Sequence, residues 1–339
     1  MNSNQTSSPI VANQTTQLLY GANLPSFQHS LFITPEWIES VAINSSSPIY
    51  LHFYNEHQQH IAKLAGLIMP GSKRSGRYLY FYAGPALAHN QHEIYQQCID
   101  ALVHFCKSED FTRFHIDCSD HLSGIPCHKN GGIPIVYSEY VMYFNQTPSF
   151  NKSFRYNVNK AIKNGAEFHH DNSPSTLNKL FELLNTTREL RYSKYGEKYS
   201  AFPFLHLNPQ TMQKLVESGL AQLYYASVND KIHCVRCALE KNGRIFGLMI
   251  ASDATAYKLG LHHFIHYNLI NQYHQQNAIY YNISGTAQGD EGKGLSDFKA
   301  SMGFERVIEY GKDSLYLTFP RTLLNPLIRI KKKKTQQAG

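Results

Sequence analysis

The stretch "NAIYYNISG" (residues 277–285), followed nine residues later by "LSDFKASMGF" (residues 295–304), is where the sequence is most specific about its fold. Residues 278–284 read as a strand, rich in aromatic and β-branched side chains. Behind it runs a loop with glycines at 285, 289, 292 and 294, whose backbone is free to approach a ligand closely. Ser296 is placed to cap a short helix and Asp297 suits its positive end. Phe298 and Met302 stand four apart and share the inward side, which turns Lys299 about a third of a turn away, toward the preceding loop. Gly303 ends the helix. The question is why a cation should stand where the pattern says a helix packs down.

Working outward, the segment before this stretch gives a succession of alternating elements. "SFNKSFRYNVNKAIKNGAEF" is a cationic amphipathic helix that Ser149 or Asn151 can cap; Phe154, Val158, Ala161 and Ile162 share one face, Arg155, Lys160 and Lys163 ride elsewhere, and Gly165 stops it. Two more helices, "STLNKLFELLNTTRELRYSKY" and "NPQTMQKLVESG", precede strands joined by Asn-Asp and Asn-Gly turns, and "LGLHHFIHYNLINQYHQQN" is helical again. The first part of the chain repeats the theme. "TPEWIESVA" is a helix with Thr34 as cap and Pro35 in its first turn, followed by strands "PIYLHFYN", "IAKLAGLIMP" and "RYLYFYAGPALA". A helix with Ile94, Cys98, Leu102 and Phe105 on one side and strands "RFHIDCSD" and "SEYVMYFN" follow. Strands flanked by helices in both halves predict an α/β (α+β) fold with mixed, mainly antiparallel sheets. With 339 residues, the chain is long enough for two domains. The expected division is a flexible N-terminus over 1–26, domains over 27–148 and 149–322, and a basic tail over 323–339.

Composition narrows the class further. The 42% hydrophobic, 17% charged and 13% aromatic residues describe a folded globular protein. No run reaches membrane-spanning length and the first 17 residues lack a signal peptide's apolar core, so a cytoplasmic protein is expected. Six cysteines are too sparse for a disulfide framework. The one close pair, Cys234 and Cys237 in "HCVRC", lies on a strand, where side chains three apart point to opposite faces, so it reads as packing and not as a metal site. His262 and His266 stand four apart on a helix without an acidic or third ligand, and a core or surface role is expected for them too. No metal is expected.

The order of these elements resembles the Fem-type (FemABX) peptidyltransferases and the related BioF2-like acyltransferases of the GNAT superfamily. The likeness is carried by "RYNVNKAIKNGAEF", "TTRELRY", "GRIFGLMIAS", "NAIYYNISG" and "GLSDFKASMGF" in the second half, and by "PEWIESV" and "YLYFYAGPAL" in the first. It covers roughly residues 27 to 330. The resemblance implies two tandem GNAT-like domains and transfer of an acyl group to an amine, without a tightly bound cofactor. Aminoacyl-tRNA is the implied donor in some members and acyl-CoA in others. Lys299 matches the family lysine of the Phe-Lys motif, associated with the phosphates and reacting groups of the substrate.

A lysine at that spot suits a diphosphate, or the charge that grows on a carbonyl oxygen during acyl transfer; the plainer alternative is a solvated lysine on an exposed turn. Amide formation needs orientation, removal of a proton from the attacking amine and stabilisation of an oxyanion. Asp290 and Glu291 in the glycine-rich loop are the candidate proton acceptors, ahead of Tyr281 and His262. Phe298, Gly285, Tyr281, Arg191, Arg155 and Lys160 are candidate substrate contacts. A GNAT domain that uses acyl-CoA carries an Arg/Gln-x-x-Gly-x-Gly/Ala loop that holds the pyrophosphate on backbone amides at a helix start. No such run occurs between "LMIAS" and "HHFIHYN". The net charge is +7, and five of the six residues 329–334 are basic behind an apolar stretch, a pattern suited to an anionic membrane surface or to tRNA phosphates. Three functions are in view. The first is aminoacyl transfer from tRNA to the stem peptide of a peptidoglycan precursor. The second is CoA-dependent N-acylation of an amino sugar or small amine in surface polysaccharide or lipid synthesis. The third is a non-catalytic binding protein that keeps the fold.

Overall fold

A computed structural model of the chain describes residues 10–89, 92–122, 132–195, 204–285 and 289–330. The chain forms two compact units, one made of Met1–Tyr137 with Ile308–Gly339 and the other of Ser138–Val307. In the first unit β1 (Val11–Gln14), α1 (Gln17–Ala22) and α2 (Pro35–Val41) lead into the antiparallel strands β2 (Ser47–Tyr54), β3 (His60–Met69) and β4 (Tyr78–Phe81). The short β5 (Ala86–Leu87) pairs with β3, and α3 (His92–Ser108) crosses to β6 (Phe114–Ile116), which runs parallel to β4. β7 (Ile133–Tyr143) carries the chain into the second unit.

There, α4 (Lys152–Lys163), β8 (Glu167–His170), α5 (Pro174–Tyr195) and α6 (Pro209–Glu217) precede a second antiparallel run, β9 (Ala221–Val228), β10 (Lys231–Lys241) and β11 (Arg244–Ser252). Helices α7 (Ala254–Leu259) and α8 (Leu261–Gln275) cross to β12 (Tyr280–Asn282), parallel to β11 and antiparallel to β7. After α9 (Gly289–Ser301), β13 (Glu305–Asp313) returns to the first unit and pairs antiparallel with β6. Both units therefore use one plan: three antiparallel strands, a helical crossover, a strand parallel to the third, and an antiparallel partner beyond it. The sheets are mixed and mainly antiparallel, as the sequence predicts.

The local reasons are legible. Asn151 caps α4 by accepting from the Phe154 N–H (2.8 Å), and Gly165 takes a φ of +73° to end the turn that follows. Phe154, Val158 and Ala161 on α4 pack with Leu261, Ile265 and Leu269 of α8 on one face of the second sheet, whereas Ile162, expected on that face, is 52% exposed. Thr34 does precede α2 with Pro35 at its first position, but its hydroxyl donates to the Leu31 carbonyl and accepts from no helix N–H. Trp37 on α2 is fully buried, edge-on to Phe32 at 4.5 Å and Tyr82 at 5.4 Å.

Two expectations need correction. Residues 10–26, read as flexible, form β1 and α1: Tyr20 is fully buried, its hydroxyl donates to the Ile33 carbonyl (2.9 Å), and the ammonium of buried Lys63 donates to the Tyr20 carbonyl. Polar composition hid one decisive aromatic anchor. The units also divide at 137/138 and 307/308 and not at 148/149 and 322/323, because β7 and β13 each run through a boundary.

Candidate active site

In the second unit two neighbouring strands part company. β11 and β12 are in register only over Arg244–Phe246 against Tyr280–Asn282. Beyond that, Gly247–Ser252 continues against β10, with a register shift that leaves Leu248 as the extra residue between Gly247 and Met249. Such a bulge bends and twists its strand. The other strand stays with β7, since the Ile283 N–H donates to Tyr140 O (2.9 Å) and the Tyr140 N–H to Ser284 O (3.0 Å). Ser284 has a φ of +62°, a left-handed conformation that costs a residue with a Cβ roughly 1 kcal/mol or more. Its N–H donates to Asn282 Oδ1 (2.8 Å), and Asn282 Nδ2 donates to Glu139 Oε2 (2.6 Å) in a fully buried pair.

Lys299 holds this turn in place, and that answers the opening question. Only 5% exposed, its ammonium donates to three successive carbonyls, Ile283 O (2.8 Å), Ser284 O (2.8 Å) and Gly285 O (2.6 Å), and stands 5.2 Å from the centre of the Tyr140 ring. An ammonium has three donors, and here all three are engaged. Burial, and then the Arg236 charge, bring its pKa down to about 7, with Glu139 acting the other way. The reading of a solvated lysine does not hold. The direction toward the preceding loop does, but the local helix is different from the one expected. It begins at Gly289, not at Ser296, so Ser296 and Asp297 lie within it and neither caps it. Glycines cost a helix about 1 kcal/mol each. Here tertiary packing outweighs that, with Met302 buried and Phe298 edge-on to His263 (5.0 Å) and His266 (5.8 Å).

The other candidates separate into those that join this cluster and those that do not. Gly285 joins through its carbonyl and Phe298 through its packing. Tyr281 is fully buried in the same core, its ring centre 5.9 Å from the Arg236 guanidinium carbon, and burial raises its pKa; it is no ready proton acceptor. His262 stacks on Tyr257 at 4.6 Å, and His266 is buried, with desolvation and then Arg236 holding its pKa well below the usual histidine range. Arg155 is exposed on α4 and Lys160 half-buried in its last turn. Positions 290 and 291 fall in the first turn of α9. The side chains of Asp290, Glu291 and Arg191 lie outside the described residues.

Sequence reasoning missed Glu139, Asn282, Arg236 and Gly247. The last two left a signal: an arginine inside the apolar strand "HCVRCALE" and a glycine inside "RIFGLMIAS", where a strand glycine marks close approach of another group. A Cβ on Gly247 would stand 1.4 Å from Arg236 Nη2. Cys234 and Cys237 are both buried, and Cys234 Sγ accepts from Ser252 Oγ (3.3 Å). Among the described residues, no group of three or more His, Cys, Asp or Glu side chains is arranged to hold a metal ion.

The connection from β11 to α8 is equally specific. It contains α7, whose first turn is capped by Asp253 accepting from the Ala256 N–H (2.9 Å), while the same carboxylate pairs with His233 Nδ1 at 2.7 Å. A negative group already sits on this helix start.

Comparison with known proteins agrees with the geometry. Residues 149–300 match the family model of the acetyltransferase (GNAT) domain, a span that ends one residue past Lys299. The structure of FemX superposes with a TM-score of 0.68 at 14% identity, covering 89% of this chain and 96% of that one. The C-terminal domain (DUF2156) of a putative lysylphosphatidylglycerol synthetase from Agrobacterium fabrum gives 0.54 at 11% identity over 92% and 95%. A conserved protein of unknown function from Bacteroides thetaiotaomicron gives 0.51 at 14% over 87% and 91%. No curated protein matches by sequence. Residues 149–300 thus carry the acetyltransferase domain of the GNAT type. The chain as a whole is similar in fold to FemX.

Proposed function

We propose that the protein transfers an aminoacyl group from aminoacyl-tRNA to the amine of the stem peptide of a peptidoglycan precursor. The observation that carries this donor over acyl-CoA is Asp253. Where a CoA-dependent GNAT domain would cradle a pyrophosphate on free amides at a helix start, this chain places a carboxylate that already uses the helix N–H; like charge repels the pyrophosphate there. The Fem-type fold supports the acceptor.

In this reading the neutral acceptor amine attacks the ester carbonyl, a C–N bond forms and an oxyanion develops. The ester C–O bond then breaks, and the amine's proton goes to a base that passes it to the departing tRNA oxygen, which leaves as a hydroxyl. Backbone N–H groups of β11 past Phe246, no longer paired with β12, are proposed to meet the oxyanion. Asp290 and Glu291, at the start of α9, are proposed as the base. Lys299 acts as a positioning residue through Ser284 and Gly285.

Muropeptide mass spectrometry of cells with and without the protein tests the reading. Loss of the protein is expected to remove a mass equal to one or more amino-acid residues from the stem peptide. An unchanged profile would overturn the acceptor assignment and favour the CoA-dependent N-acyltransferase.

A lipid-linked precursor would place the reaction at a membrane surface. No helix among the described residues is long and apolar enough to cross a membrane. However, Phe319 (77%), Leu323 (68%) and Leu327 (66%) are exposed ahead of the basic run 329–334 and Ile330 (56%) within it, the pairing of apolar and cationic side chains that binds an anionic interface. Vesicles rich in phosphatidylglycerol are expected to sediment the protein, and Leu323→Glu with Leu327→Glu to weaken binding about tenfold or more, given roughly 1.5–3 kcal/mol per buried leucine. Equal binding of that variant would remove the contact from the proposal.

A further inference from the structure

We infer that the parting of β11 and β12 houses a receptor for an oxyanion, a carboxylate or phosphoryl group, with Arg236 as its cationic ligand. Arg236 is 4% exposed, and its Nε and Nη2 have no hydrogen-bond partner among the described residues. Nη2 occupies the space that any Cβ on Gly247 would need, and Gly247 is the first β11 residue beyond the last pair with β12. The guanidinium thus stands at the apex of the gap.

Its surroundings hold buried polar groups with unused hydrogen-bonding capacity. The Tyr281 hydroxyl, which can accept from the guanidinium, and His266 Nδ1 are buried, their rings lie 6.2 Å apart, and the guanidinium carbon is 5.9 Å from the Tyr281 ring. Lys299 adds a second cation whose donors are already committed to carbonyls. Two acidic groups share this core and both are engaged: Glu139, which acts on Lys299, accepts from Asn282, and Glu240, which acts on Tyr281, accepts from Tyr224 and Tyr273. A buried guanidinium left without an anionic partner is strongly destabilising, and a methionine of similar length would pack there at lower cost. The planar fork of an arginine matches the two oxygens of a carboxylate or phosphoryl group. A cationic ligand is excluded by the same charges. The inference deepens the proposed function by naming a group on the substrate, but its test reads binding and stability without turnover, so either can fail alone.

The test is thermal melting at constant ionic strength, with sodium malonate as the carboxylate probe and sodium pyrophosphate as the phosphoryl probe, each against chloride. The wild-type protein is expected to show a saturable rise of about 3 °C or more at ten times the half-saturating concentration of one probe. The probe that acts identifies which oxyanion the site takes. Arg236→Met is expected to melt at or above the wild type without anion, and to lose the response. Gly247→Ala, which keeps the arginine but fills the space of Nη2, is expected to fold and to lose the response as well. No response of the wild type to either probe would overturn the receptor, and so would an unaltered response in either variant. If Arg236→Met fails to fold, retention of the response by Gly247→Ala overturns it and its loss upholds it.

Discussion

Lys299→Met is expected to lower acyl transfer by about 100-fold, the usual penalty for displacing a reacting group by an ångström, and to destabilise the second unit by about 2–4 kcal/mol. Three carbonyls lose their donor at once, and each buried unsatisfied group costs about 1–3 kcal/mol. Relief from burying an ammonium offsets part of that. Lys299→Arg should not rescue, because a planar fork does not present three donors to three converging carbonyls. The pH dependence has a definite sign. With the folded pKa near 7 and the unfolded one near the usual lysine value, the unfolded chain holds a proton between roughly pH 7 and 10 that the folded chain has released. Stability from this group therefore rises with pH across that window, by at most about 1.4 kcal/mol per pH unit, and is flat below it. Denaturant titrations of wild type and Lys299→Met at pH 6.5 and pH 9.5 measure this. A stability difference that does not widen at the higher pH would show that the ammonium stays charged throughout.

Asn282→Asp should be nearly as severe, with the opposite pH response. It would set a second carboxyl beside Glu139, at the 2.6 Å where an amide now donates, in a pair that is fully buried. Two carboxylates so close cannot both ionise, and one pKa is pushed up strongly. The folded chain then keeps a proton that the unfolded chain gives up above roughly pH 4. Stability should fall as pH rises from about 4 until the raised pKa is passed. The variant is expected to melt near the wild type at pH 5 and to lose several degrees or more by pH 8. Coincident melting curves of Asn282→Asp and wild type at pH 8 would exclude the buried pair as described.

Much of this fold can be read from local pattern. The amphipathic face of α4, its asparagine cap and its terminating glycine follow from spacing alone, as do the Asn-Asp and Asn-Gly turns between β9, β10 and β11. The same reasoning placed α9 half its length too late, because glycines at 289, 292 and 294 signal a loop and only tertiary contacts overrule them. The site was half visible. Lys299 stood out because a cation broke an apolar rhythm, but its partners are backbone carbonyls, which no side-chain pattern reveals. Glu139 and Asn282 are 143 residues apart and meet only because β7 and β12 are neighbours, a pairing set by topology.

One consequence of the boundary-crossing strands concerns synthesis. Strands β1 to β6 of the first unit are synthesised before the second unit, yet β6 receives its antiparallel partner only when residues 308–313 of β13 arrive. All of Ser138–Val307 must leave the ribosome in between. The unit that starts first is therefore finished last, and a fragment cut at the middle of the sequence would present β6 with an open edge, which invites aggregation. Expression of the second unit alone, from before β7 to the end of β13, is the more promising division of this chain.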